Sequence, residues 1–287
     1  MVRRAAVLLP LLVLACSSGN PTGSGSPRVD TSTLFMVSDP VVYSVRPAWS
    51  PDGKVIAFSA GVRGHSDSTM VFGVSASGGQ PYRLSGPDSY TPCYLGNGDA
   101  AWYQGWIDPD RDMHVMAAGQ VLRRFNGSDV GWQVGAGASP GELSLCSSGL
   151  HALVVWDTAA WCLNWSGGIF AARQVDEVVR SGAVAPSGDR IAYSTADGAI
   201  VVAGFDGTGR TQVGSGSNPT WATQQVIGYV AQGGSGYVVH DLDSGTTTTY
   251  PWNYPGQPPA LSPAADAVAY RVWSGDQAGI AVARLRD

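Results

Sequence analysis

Pro47 to Ala60 reads PAWSPDGKVIAFSA, Gly182 to Thr195 reads GAVAPSGDRIAYST, and Pro259 to Val272 reads PALSPAADAVAYRV. In each, a short apolar stretch leads to Ser-Pro or Ala-Pro, then a turn, then a strand carrying an aromatic residue near its end. Weaker copies begin at Pro92 (PCYLGNGDAAWY), Leu143 (LSLCSSGLHALV) and Pro219 (PTWATQQVIGY), so the six starts lie about 37 to 51 residues apart. A repeated unit of that length cannot bury its apolar face alone and must stack on its neighbours. The spacing suits one four-stranded propeller blade per copy.

Each copy has a second half. Val71 to Gly86, Met113 to Gly127, Ile200 to Gly214 and Tyr237 to Tyr250 each read strand, turn, strand, and Ala159 to Gly167 with Ile169 to Val175 does so less clearly. Composition agrees. The 38 Gly and 18 Pro make up about a fifth of the chain, against roughly 12% in ordinary usage. Lys54 is the only lysine, and Glu142 and Glu177 are the only glutamates, so two good helix formers are nearly absent. The expected fold class is therefore all-β: a single six-bladed propeller of four-stranded blades over residues 31 to 287. Its last copy ends at Asp287 after only three strands, and Thr33 to Val37 (TLFMV) has no other place. That segment is expected to supply the outer strand of the last blade and close the ring, removing two open edges.

The repeats PAWSPDGKVIAFSA and GGQPYRLSG resemble those of the TolB-like six-bladed β-propellers, over roughly residues 33 to 287. The resemblance implies fold far more specifically than function, because such propellers recur in scaffolds, receptors and accessory domains of peptidases. TolB itself carries an additional N-terminal α/β domain that binds other Tol proteins. Here the sequence passes from a tether straight into the first repeat.

The N-terminus suggests an address. Arg3 and Arg4 precede an apolar run from Ala5 to Ala15, which fits a secretory signal but is too short to span hydrocarbon. Val13-Leu14-Ala15-Cys16 resembles the bacterial lipobox, in which a cysteine thiol receives diacylglycerol through a thioether. Residues 1 to 15 are thus expected to be a lipoprotein signal peptide. Cys16 is the expected lipidation site, and residues 16 to 30 a flexible Ser/Gly/Pro tether. The expected location is the cell envelope, on the periplasmic side of the outer membrane if the organism is Gram-negative. An ordinary signal peptide followed by an incidental cysteine is the alternative.

The chemical motifs are weak. Pro51-Asp52-Gly53 reads as hairpin geometry, with Ser187-Gly188 and Asn97-Gly98 as counterparts that drop the carboxylate. Gly137-Ala138-Ser139-Pro140-Gly141 matches a nucleophile elbow, but that motif acts on a strand-turn-helix. Here a strand is expected to follow, so no catalytic residue is assigned. Asp108, Asp110 and Asp112 alternate as at the start of a calcium loop. Met113 and Gly119 stand where an EF-hand needs Gly and Glu, so a plain solvated loop is the simpler reading and no metal site is assigned. The histidines lack zinc spacing. No phosphate-binding glycine motif occurs, so no nucleotide or other cofactor is expected. A net charge of −5 argues against nucleic acid. Cys146 and Cys162 fall in one copy, and an exported compartment would permit them to pair as a disulfide.

Topology points to one face. The loops between second and third strands, with those between blades, would gather Arg63, His65 and Asp67; Trp106, Asp108 and Arg111; Trp252 and Tyr254; and Trp273 and Asp276. Aromatic residues beside charges suit recognition of a protein or carbohydrate. The same tryptophans could instead cover seams between blades. The expected role is a non-enzymatic protein-binding or scaffold module, held to the membrane by lipid and docking another envelope protein or a cell-wall component. The alternative is a propeller with a sugar, small-ligand or hydrolase-type site at its channel mouth.

Overall fold

A computed structural model describes residues 26–38, 47–62, 65–104, 112–126, 142–156, 159–168, 170–176, 178–253, 258–274 and 277–287. The signal segment, Cys16 and most of the tether lie outside the described residues, as does the Gly137 to Gly141 motif.

Strand β1 (Arg28–Ser38) precedes the first repeat. The first unit contains β2 (Ala48–Trp49), β3 (Val55–Val62), β4 (His65–Ser75) and β5 (Tyr82–Arg83). The second contains β6 (Ser89–Tyr94), β7 (Ala100–Gln104), β8 (Asp112–Ala117) and β9 (Gln120–Asn126). The third contains β10 (Glu142–Leu145), β11 (His151–Trp156), β12 (Ala159–Asn164) and β13 (Ala171–Asp176). Each of these units is an antiparallel four-stranded sheet in sequence order.

The next two units share a strand. β14 (Val179–Val184), β15 (Arg190–Thr195) and β16 (Ala199–Gly204) lead into the long β17 (Thr211–Trp221), which continues to β18 (Val226–Ala231), β19 (Gly236–Asp241) and β20 (Thr247–Pro251). The first half of β17 pairs with β16 and its second half with β18, giving one seven-stranded sheet where two separate blades are expected from the repeat. Asn218, at φ 53°, sits at the register shift between Ser217 and Thr220 in the pairing with β18; asparagine tolerates this left-handed conformation better than most residues.

The last unit is β21 (Ala260–Leu261), β22 (Ala267–Ser274) and β23 (Gln277–Arg286), with β1 added outside β23. The closing strand expected at Thr33 to Val37 is thus present, and it is longer than expected. Pairing runs from Arg28↔Arg286 to Ser38↔Gln277, so residues 28–30 belong to the sheet rather than to the tether. Backbone groups on β23 satisfy this polar stretch, and the exposed Arg286–Asp30 ion pair spans 3.7 Å.

Counted with β17 in both sheets, the described strands form six four-stranded units. Six apolar clusters join them in a cycle. Ala57, Val71 and Trp102 join the first and second units, Tyr103 and Leu145 the second and third, and Leu153 and Ile191 the third and fourth. Ile200 and Ile227 join the fourth and fifth, Tyr237 and Tyr270 the fifth and sixth, and Phe58 and Val282 the first and sixth. Each sheet is covered on both faces, so Arg190–Thr195 buries four consecutive residues instead of alternating. The inner strands also exchange hydrogen bonds. Trp49 Nε1 donates to the Ala260 carbonyl at 2.9 Å, and Trp221 Nε1 donates to the Ala183 carbonyl at 3.1 Å. These two tryptophans do the same job in different units, as their equivalent repeat positions suggest.

The Pro51-Asp52-Gly53 turn is hairpin geometry. Gly53 (φ 70°) donates its N–H to the Ser50 carbonyl at 2.8 Å, and the Asp52 carboxylate accepts from Ser50 Oγ and the Lys54 N–H. The expected disulfide is corrected: Cys93, Cys146 and Cys162 are free thiols. Cys146 follows β10 and Cys162 lies on β12, with β11 between them. Two strand spacings, about 9–10 Å, exceed the roughly 7 Å that a disulfide bridges. Cys146 instead accepts the His151 N–H on Sγ at 3.3 Å.

Candidate functional site

Two surfaces follow from this architecture: the central channel and the face carrying the hairpins between second and third strands. The channel cavity, about 270 Å³, receives residues from every inner strand, including Trp49, Cys93, Leu145, Val184, Thr220 and Leu261. Among its described lining residues none is Asp, Glu, His, Lys or Arg. Two of its hydroxyls are occupied: Ser144 Oγ accepts the Val184 N–H, and Thr220 Oγ1 meets the Tyr237 hydroxyl and accepts the Leu261 N–H. Burial pushes the Cys93 thiol up to about 12, keeping it protonated. This lining offers apolar contact and no acid–base pair.

The hairpin face is more varied. Trp273 lies near the end of β22 and is 51% exposed. Two residues earlier, Arg271 is buried at 8% exposure, with its guanidinium carbon 3.9 Å from the centre of the Trp273 ring. Burial lowers the Arg271 pKa to about 10. Arg271 carried no signal in the sequence, because it stands within an apolar strand (AVAYRVW) where an isolated cation gives no pattern. Alternation along β22 places Arg271 and Trp273 on the side of Ala267 and Ala269, which pack on Ile56 and Phe58.

Trp252 behaves differently. It is half-buried against the fifth–sixth seam, with its ring 4.7 Å from that of Tyr270 in an edge-on arrangement. It therefore covers a seam. Between the fourth and fifth units, the same face holds a crevice of about 430 Å³ lined by Arg180, Asp197, Asn218 and Gln232. The Asp197 carboxyl is held below its usual value by the Thr195 hydroxyl. Asp197 and Gln232 sit in hairpins while Arg180 and Asn218 lie on β14 and β17, so no motif or common spacing singles these residues out in the sequence.

Of the other expected face residues, His65 and Asp67 fall on β4, and of the alternating aspartates considered for calcium, Asp112 falls on β8. Arg63, Trp106, Asp108, Asp110, Arg111, Tyr254 and Asp276 lie outside the described residues. Among the described residues no cluster of His, Cys, Asp or Glu is arranged to hold a metal ion.

The fold has known counterparts. TolB from Acinetobacter baumannii superposes with a TM-score of 0.55 at 13% identity, over 87% of this chain and 64% of that one. This chain therefore spans less than two thirds of that protein's length. A TolB-like structure described as putative, from Agrobacterium tumefaciens, gives 0.55 at 12% identity over 92% and 100% of the two chains. The chain folds as a TolB-like β-propeller. An oligogalacturonate lyase in complex with manganese also superposes, with a TM-score of 0.50 at 10% identity over 91% of this chain and 98% of that one. No protein-family model matches the sequence, and no curated protein matches it. At these identities the likeness concerns the propeller's architecture alone.

Proposed function

We propose that this propeller is the soluble part of a lipid-anchored envelope lipoprotein and serves as a six-bladed, non-enzymatic docking module for another envelope protein. The observation that carries the docking reading is Trp273, a half-exposed tryptophan stacked on a buried arginine at the hairpin face. Tryptophan and arginine are the residue types that most often dominate binding energy at protein interfaces. The TolB-like architecture supports a rigid platform for such contacts. The anchor rests on the Val13 to Cys16 sequence, with the tether holding the disc off the membrane. A binding site for a cell-wall component would use the same face.

In-cell crosslinking followed by affinity capture and mass spectrometry tests the docking role, with a Trp106→Ala, Trp273→Ala control. One envelope protein recovered with the wild type and lost with the control is the expected result. An empty capture overturns it. For the anchor, Cys16→Ser should release the protein from membranes, and unchanged fractionation would refute lipidation.

The second reading is a sugar or hydrolase-type site at the channel mouth, favoured by the fold shared with an oligogalacturonate lyase. The described channel lining speaks against it, because it supplies no carboxylate, imidazole or cation to polarise or protonate a substrate.

A further inference from the structure

Arg271 is the only charged residue among the described buried ones. Its Nε has no hydrogen-bond partner, and no described carboxylate forms an ion pair with it. A guanidinium taken out of water normally gains a carboxylate or several carbonyls in exchange, because an unpaired buried charge is strongly destabilising. Among the described residues the compensating contact is the face of Trp273, itself half exposed. The pair lies at the seam between the first and last units, at the end of a strand that opens onto the hairpin face.

We propose that Arg271 and Trp273 form a recognition site for a carboxylate carried on an acidic peptide segment of a partner protein. This deepens the docking reading above and rests on it. A carboxylate matches the planar, forked guanidinium and carries the single charge that one cation balances. A phosphate group, at about −1.5 to −2, would exceed it. The exposed indole beside the arginine gives a flat apolar surface for the side chain next to the acid. With a net charge of −5, the protein does not draw acidic ligands from a distance. Selection therefore operates at contact, where a desolvated pair is little screened by salt.

The test uses the full-length chain and short blocked peptides, with binding read by saturation-transfer NMR. The probes are acetyl-Leu-Glu-Leu-amide, its Gln analogue, the Gln analogue with a free C-terminal carboxylate, and digalacturonate. The Glu peptide is expected to bind at least about tenfold more tightly than the blocked Gln peptide, a difference of roughly 1.4 kcal/mol. Comparison with the free-carboxylate form tells whether a side chain or a chain end supplies the acid. Arg271→Met should abolish the preference while leaving the melting temperature unchanged or raised, since it removes a buried charge that no described carboxylate pairs. Trp273→Ala, at an exposed position, should keep the fold and weaken binding of the Glu peptide.

Equal binding of the blocked Glu and Gln peptides overturns the proposal, as does binding of digalacturonate alone. A fall of more than about 5 °C in Arg271→Met would assign the arginine to the fold instead. The two readings fail separately. A cellular partner still captured by Arg271→Met leaves docking intact and overturns the carboxylate site. An empty capture alongside a charge-selective peptide response overturns docking in the cell.

Discussion

Ala265 occupies the turn position that glycine fills in four other copies. Its φ is 57°, beside 70° at Gly53, 89° at Gly98, 66° at Gly149 and 84° at Gly188, and its N–H donates to the Ser262 carbonyl as Gly53 does to Ser50. A left-handed alanine costs roughly 1–2 kcal/mol, part of which its methyl recovers by packing at the fifth–sixth seam. Ala265→Gly is therefore expected to stabilise by about 0.5–1 kcal/mol and raise the melting temperature by about 1–4 °C. A lower melting temperature would mean that the methyl contact outweighs the strain. Two desolvated thiols, the partly buried Cys93 and the buried Cys162, add a pH dependence. Burial raises both Cys93 and Cys162 to about 12, whereas an unfolded thiol ionises near 8.5. Their contribution is complete below about pH 8.5 and is lost as pH rises towards 12, because the unfolded chain releases protons that the native state keeps. Melting temperatures from pH 8 to 10.5 should fall for the wild type and fall less steeply for a Cys93→Ala, Cys162→Ala variant. Equal slopes would mean that these thiols are not desolvated.

At the scale of the element, β1 shows how much of a strand a pattern can reveal. The run TLFMV was legible because it is apolar and unclaimed by any repeat. Residues Arg28 to Ser32 were not, since a polar segment joins a sheet through backbone groups that any sequence carries. The long β17 was hidden for a related reason: one unit's second half ends at Gly214 and the next copy begins at Pro219, yet the strand runs on through Ser215 to Asn218 between them. Deleting Thr33 to Val37 would remove the pairing with Ala278 to Ala281 and reopen the outer edge of β23. The melting temperature of the deletion is expected to drop by more than about 10 °C, several kcal/mol for a domain of this size. An unchanged value would show that the last unit is stable with three strands.

For the molecule as a whole, the seams make the units interdependent. A single sheet would expose two apolar faces, so no unit should survive the loss of its neighbours. Thermal unfolding is expected to be one transition with calorimetric and van't Hoff enthalpies in agreement. Two resolved transitions would divide the ring into independent halves. The sequence by itself determined the all-β class, the repeat, the turn chemistry at Gly53 and Gly188 and the return of the N-terminal strand. Those are local or periodic properties, written in residue type and spacing. Only the tertiary structure decided that Cys146 and Cys162 stand two strands apart, that Trp252 covers a seam while Trp273 faces solvent, and that Arg271 lies buried against it with no counter-ion among the described residues. Each depends on which residues of distant segments meet, and a repeat places every copy in an equivalent position while leaving its neighbours across the seam to differ.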